Sequence, residues 1–348
     1  MIGVGWLRSR AQTAAAAFVI AVVAVIAAVT GPDLIRLYRA AVAGCASQGN
    51  CQGAMAAFAA QDGSLRMWLG VLVAISPAII GMFWGAPLVA SELEDGTFRL
   101  AWTQSVTRTR WLTVRLGVAG LASMAAAGLL SLLVTWWASP LDRAGLSRFA
   151  TFDQRDIVPI GYAAFAFALG VAAGAAIRRT LPAMAVTLVA FVAARMAVTY
   201  WVRPRMLSPL VLIRPVNVAG YGSYSFLPVP VSSPSLQLKP PNLPNAWITS
   251  TDIVTRSGRG LPAAELARLC PGLGQGRPGH GLGHVQAPAS AVHRLQECGA
   301  RLNALYHEAV SYQPASRYWP LQGYELAIFL AAALILAGLA FWRVRRIS

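Results

Sequence analysis

Apolar positions gather into six long stretches: Thr13 to Thr30, Met67 to Ala90, Leu112 to Ala138, Ile157 to Ile177, Leu181 to Trp201 and Gly323 to Trp342. About 20 mostly apolar residues in a helix cross a hydrocarbon core of roughly 30 Å, so each stretch is long enough to span. The pattern predicts an all-α polytopic membrane protein with six transmembrane helices. The first stretch follows Arg8 and Arg10, as a signal peptide would. Its apolar run is longer than an h-region of roughly 7 to 15 residues, however, and it reads as an uncleaved span.

Polar and aromatic punctuation sharpens the boundaries. Trp68 and Trp84 bracket the second span, Trp111 and the pair Trp136 and Trp137 the third, and Trp319 and Trp342 the sixth, while Tyr200 and Trp201 close the fifth. Amphipathic rings settle at the headgroup level, which is where these residues fall. Arginine sets the orientation, because positive side chains resist translocation. Arg8, Arg10, Arg99, Arg108, Arg110, Arg115, Arg178, Arg179, Arg343, Arg345 and Arg346 lie on one side, against Arg36, Arg39, Arg66, Arg143, Arg148 and Arg155 on the other. The first side is expected to be cytoplasmic, with both termini inside, the protein in the cell membrane and the segment 202–322 outside.

Three regions follow. Residues 1–201 hold the first five transmembrane helices and a cytoplasmic loop, 91–111. Residues 202–322 form a mixed, Pro-rich extracytoplasmic domain, and 323–348 hold the sixth helix and a basic tail. Within the outer segment, Arg203 to Pro244 is rich in proline and serine and is expected to be extended or irregular. Val292, Leu295, Leu302, Leu305, Tyr306 and Ala309 recur at helical spacing and predict an amphipathic helix. All four cysteines fall outside: Cys45 and Cys51 in the first outer loop, Cys270 and Cys298 in the long segment. An even number on the oxidising side reads as disulfides, most simply Cys45 with Cys51 and Cys270 with Cys298, although four cysteines permit three connectivities. His280 and His284 are four apart but belong to a glycine-rich stretch that forms helix poorly, so no metal site is expected.

Composition narrows the classes. The chain is 56% hydrophobic and 12% charged, outside the range of a soluble domain. Its net charge of +16 is almost entirely arginine, with Lys239 the single lysine, and no basic run with interleaved aromatics offers a nucleic-acid surface. Inside the spans Arg195 is the clearest charge. It is either a residue of a substrate pathway or a side chain that snorkels outward past Tyr200 and Trp201. Gly170 and Gly174 have the spacing of a close helix contact, a weak signal where small residues are so frequent.

The most informative polar stretch is the loop between the second and third spans, Ser91 through Trp111. It contains an acidic cluster (Glu92, Glu94, Asp95), a Gly96 turn, an amphipathic stretch with Phe98 and Trp102, and then Ser105-Val106-Thr107-Arg108-Thr109-Arg110. A short amphipathic helix at the membrane surface facing a cytosolic partner needs this composition. Local capping is the competing reading: Ser91 and Glu94 have capping-box spacing, and Thr107 stands where it could cap the third span.

Glu94, Gly96, Thr97, Ser105, Val106, Thr107 and Arg108, with Arg115 where a lysine is common, resemble the corresponding loop of ABC-2 type transporter permeases. The run Tyr312 to Trp319 also resembles a subgroup with an enlarged final outer loop. The resemblance implies a permease subunit of an ATP-binding cassette exporter, paired with a second permease subunit as a homo- or heterodimer. Its loop would dock on a separate cytosolic ATPase subunit through Glu92, Glu94, Gly96, Thr97, Arg99, Trp102, Gln104, Ser105, Val106, Thr107, Arg108 and Arg110. ATP and Mg would be held by that partner and no cofactor by this chain. Consistent with this, the sequence contains no G-x-x-x-x-G-K-[ST], H-E-x-x-H or G-x-S-x-G motif, and no catalytic residues are expected. A different class of function remains open, a membrane-anchored binding or sensor protein acting through its outer segment.

Overall fold

The computed structural model describes residues 2–48, 58, 63–94, 108–144, 147–216, 218–221, 236–238, 241, 243–270 and 289–345. Among the described residues, six helices are long and apolar enough to cross a membrane: Thr13–Cys45, Gly63–Ser91, Leu116–Trp137, Arg148–Ile177, Thr180–Met206 and Ala315–Val344. The chain is a multi-pass, all-α membrane protein in its spanning part. It divides into two compact units, Met1–Ser208 with Ser316–Ser348, and Pro209–Ala315.

The first helix departs most from expectation. It runs unbroken from Ile2 to Gln48, 47 residues, where the apolar pattern ends at Thr30. Gly31-Pro32 looks like a stop, yet Pro32 sits inside the helix. Thr30 donates its hydroxyl to Ile26 O at 2.7 Å and accepts from Trp137 Nε1 at 2.9 Å, so the third span supports the turn that leads into the proline. Near this level Val23, Ala27 and Leu34 of the first span, Leu69 and Val73 of the second, and Leu130, Val134 and Trp137 of the third form one apolar core.

The fourth span is the axis of the bundle. Its helix, Val158–Ile177, is apolar on every side and buries Tyr162, Ala163, Ala166, Phe167, Val171 and Ala175. An all-round apolar helix belongs in the interior, and this one lies against the second, third, fifth and sixth spans. By contrast the first, fifth and sixth spans expose large apolar side chains such as Phe18, Val29, Leu181, Val189, Leu334 and Ile335, as helices facing lipid do.

Two spans contain π-helical turns, Gly81–Gly85 in the second and Val198–Val202 in the fifth. Each is followed two residues later by a proline, Pro87 and Pro204. A proline offers no amide to the carbonyl four residues back and crowds it, and those carbonyls, on Phe83 and Tyr200, lie within the widened turns. Beyond its π turn the fifth span continues as Arg203–Met206, so the helix outlasts its expected end at Trp201.

The second unit is a small α/β fold. An antiparallel sheet has strand order β1 (Leu210–Arg214), β5 (Tyr306–Gln313), β4 (Trp247–Thr255), and β2 (Val218–Tyr221) pairs with β3 (Leu236–Leu238). Helix Ala289–Leu305 packs Leu302 against Val216, Tyr306 and the disulfide Cys270–Cys298, whose Cα atoms are 5.0 Å apart. The expected amphipathic helix therefore ends at Leu305. Tyr306 and Ala309 belong to β5, where Tyr306, Glu308 and Val310 alternate inward at the period of a strand. Asn303 clamps the chain before β2, accepting from Val216 N at 2.5 Å and donating to Val216 O at 3.0 Å.

Candidate functional site

The fourth span meets its neighbours in two different ways at its two ends. At the Ile177 end the contact is made by small residues. A Cβ on Gly81 would stand 2.6 Å from Ala166 O, one on Gly85 2.5 Å from Phe167 O, one on Gly170 2.6 Å from Ala86 N, and one on Gly174 2.5 Å from Ala86 O. Side chains do not fit at such distances, so two glycine pairs, each spaced by four, bring the backbones of the second and fourth spans into direct contact. Ala86, Ala90, Ala173 and Ala183 continue the seam into the fifth span, with Ile177 and Met184 beside them.

Glu94, the last residue of the helix Ala86–Glu94, completes this end. Its Oε2 accepts from the backbone N–H of Thr180 at 2.9 Å and from the Thr180 hydroxyl at 2.8 Å. Thr180 opens the fifth-span helix, whose first amides have no partner within the helix, and a carboxylate there also complements the helix dipole. The end of the second span is thereby pinned to the start of the fifth.

At the Val158 end the contact is ionic and buried. Arg203 donates through Nε to Glu325 Oε2 at 2.7 Å and through Nη2 to Glu325 Oε1 at 2.8 Å, and it also bonds Asp153. Tyr162 Oη lies 2.8 Å from Asp153 Oδ1 and 2.5 Å from Glu325 Oε1. Glu325 is 0% exposed and Arg203 6%. Arg195 reaches the same cluster: its guanidinium lies 4.6 Å from the centre of the Tyr162 ring, its Nη2 is 3.9 Å from Asp153 Oδ2, and its Nη1 donates to Ala74 O of the second span at 2.5 Å. Two carboxylates face two guanidiniums, so the cluster is balanced in charge, the condition under which ions persist in an apolar interior.

A neutral and ionic frame surrounds it. Gln322 accepts from Val158 N at 3.0 Å and donates to Phe152 O at 3.0 Å. Tyr318 donates to Asp156 at 2.5 Å, and Arg155 makes a two-pronged pair with Asp142 at 2.8 and 2.6 Å. The segment between the third and fourth spans is thus tied to the sixth.

Of the residues the sequence singled out, Arg195 turns inward and does not snorkel past Tyr200 and Trp201, because the Tyr162 face and the Ala74 carbonyl compensate its charge inside the bundle. Cys270 and Cys298 are bonded to each other; Cys45 is buried, and Cys51 lies outside the described residues. Gly96, Thr97, Arg99, Trp102, Gln104, Ser105, Val106 and Thr107 also lie outside them, as do His280 and His284. Glu92 is in the helix that ends at Glu94, and Arg108 and Arg110 open the third-span helix. The structure therefore gives the two anchors of this loop.

Asp153, Arg203 and Glu325 were missed. Glu325 carried a usable signal, since it is the one carboxylate within the six apolar stretches. Gly81 and Gly85 were missed as well, although their spacing matches that of Gly170 and Gly174.

The model of the family described as ABC-2 membrane transporter related matches residues 17–203, which include the seam, Glu94, Asp153, Arg195 and Arg203. No curated protein and no solved structure matches the chain.

Proposed function

Because the chain belongs to the ABC-2 membrane transporter related family, we propose that it is the membrane-spanning permease subunit of an ATP-binding cassette exporter. It works with a second permease subunit and with separate cytosolic ATPase subunits, which hold ATP and Mg. Both termini and the 91–111 loop face the cytosol, the 209–315 unit faces outward, and the complex resides in the cell membrane. Substrate leaves the cell when nucleotide-driven movement of the ATPases is passed to the spans.

The family match carries this reading, and the way the loop is anchored supports it. A segment that receives force transmits it only if its ends are fixed to something rigid. Residues 95–107 follow a helix, Ala86–Glu94, whose first turn lies backbone to backbone on the fourth span and whose terminal carboxylate holds the fifth. Push or pull on the loop is therefore delivered to the axis of the bundle without loss in flexible side chains.

The test is co-purification with a co-expressed ATPase subunit. Trp102→Ala combined with Arg108→Glu is expected to abolish the complex while the permease still accumulates in the membrane. Full retention of the ATPase by that variant would contradict docking through the loop. Glu94 is unsuited to this test, since its carboxylate is engaged within the chain at Thr180.

A further inference from the structure

The second span is interrupted twice in its middle. Pro77 gives no amide to the Val73 carbonyl, and the Ser76 hydroxyl fills the gap by donating to Val73 O at 2.9 Å. The adjacent carbonyl, Ala74 O, receives Arg195 Nη1. One residue beyond Ile80 the helix widens into the π turn Gly81–Gly85. Proline and π turns are the places where a helix bends most readily. The π turn itself lies in the small-residue seam, through Gly81 and Gly85; before Pro77 the second span touches the ionic cluster through Arg195.

Arg195 is the loosest member of that cluster. Arg203 makes direct hydrogen bonds to Glu325, whereas Arg195 stands 3.9 Å from Asp153, an ion-pair distance beyond hydrogen-bond range. The groups facing it are Asp153 between the third and fourth spans, Tyr162 on the fourth, Ala74 O on the second and, behind Asp153, Arg203 and Glu325. We propose that Arg195 is a positioning residue that ties the bend of the second span at Pro77 to the ionic cluster at the Val158 end of the fourth. When the bend changes, Ala74 O withdraws. The freed guanidinium then closes on Asp153, competes with Arg203 for it, and loosens the fifth span from the sixth. Substrate passage as the purpose of this movement rests on the permease reading above; the contact itself is testable without any ATPase.

The experiment is amide hydrogen exchange by mass spectrometry on the purified full-length chain in lipid nanodiscs, comparing wild type with Arg195→Met and Arg195→Lys. Methionine keeps the length without the charge or donors, and lysine keeps both in part. Arg195→Met is expected to speed exchange about tenfold at 70–78, 148–157 and 196–206, the loss of roughly one buried hydrogen bond, and to leave 166–180 unchanged. Arg195→Lys is expected to restore protection to within about threefold of wild type. Equal behaviour of the Met and Lys variants, or no change in either, overturns the assignment. If Arg195→Met does not accumulate, Pro77→Ala serves instead. Returning an amide to Val73 O is expected to slow exchange at 73–79 and to shift it at 148–157, and a change confined to 73–79 overturns the linkage. Failure of these exchange results leaves ATPase co-purification unaffected, and the converse holds.

Discussion

The two ends of the fourth span solve the same packing problem with opposite chemistry. At the Ile177 end, Gly81, Gly85, Gly170 and Gly174 remove side chains so that backbones touch; at the Val158 end, Asp153, Tyr162, Arg203 and Glu325 fill the space with charge. Backbone contact has no alternative arrangement nearby, because any displacement opens a void that lipid tails are too large to fill. The ionic cluster instead offers each guanidinium a choice of partners, since Arg203 bonds both Asp153 and Glu325 and Arg195 stands 3.9 Å from Asp153. The two kinds of contact lie at opposite ends of a single helix 20 residues long.

Substitutions that attack one end at a time break this comparison. The largest effect is expected from Glu325→Ala, which leaves Arg203 and Arg195 to share Asp153 alone in a buried site. Removing one member of a buried pair costs about 3–5 kcal/mol, read as loss of thermal stability of the purified protein. Glu325→Gln keeps the shape and one acceptor and is expected to fall between Ala and wild type. Next, Gly170→Ala forces a Cβ against the Ala86 amide. Overpacking of this kind costs about 1–3 kcal/mol and is expected to uncouple, so that ATP turnover by a co-expressed ATPase subunit persists while export falls. If Gly170→Ala lowers stability and export in proportion, the seam is structural support without a role in transmission. A smaller effect is expected from Glu94→Ala, which removes an N-terminal cap worth about 0.5–2 kcal/mol and raises hydrogen exchange at Thr180 to Met184. Glu94→Asp is too short to reach both Thr180 donors and should resemble Ala.

A control sharpens the comparison by touching neither end. Cys270→Ser opens a disulfide with a sequence separation of 28, and in a small fold this costs about 2–4 kcal/mol. The loss is expected to appear as earlier unfolding of 209–315 by proteolysis, with the six-span unit retaining its own transition.

The spans were legible because length and apolarity alone specify them: the second, third and fifth agree with the pattern to within about five residues, while the fourth and sixth begin earlier than expected, at Arg148 and Ala315. The first was not, since Gly31-Pro32 signals a stop locally, while Trp137, 107 residues away, bonds Thr30 and supports continuation of the helix. The same limit hid the ionic cluster. Asp153, Arg203 and Glu325 are far apart in the sequence, and only the fold brings positions separated by 50 and 122 residues into hydrogen-bond contact. The small-residue seam was half visible: Gly170 and Gly174 have the right spacing, but in a chain with 31 glycines the spacing carries little weight until the facing pair Gly81 and Gly85 is known. In the outer unit Tyr306 and Ala309 fit a helical period by coincidence, and pairing of β5 with both β1 and β4 decides in favour of a strand.

Force entering at one face of the membrane and release at the other is the claim on which the rest depends. It is tested by labelling with a membrane-impermeant thiol reagent, using Gln104→Cys for the loop end and Ala150→Cys for the ionic end in a background with Cys45 and Cys51 replaced by alanine. The expected result is that Gln104→Cys reacts only in inside-out vesicles and Ala150→Cys only in intact cells. Reaction of Gln104→Cys from outside intact cells would put the loop beyond the reach of any cytosolic ATPase and contradict the account.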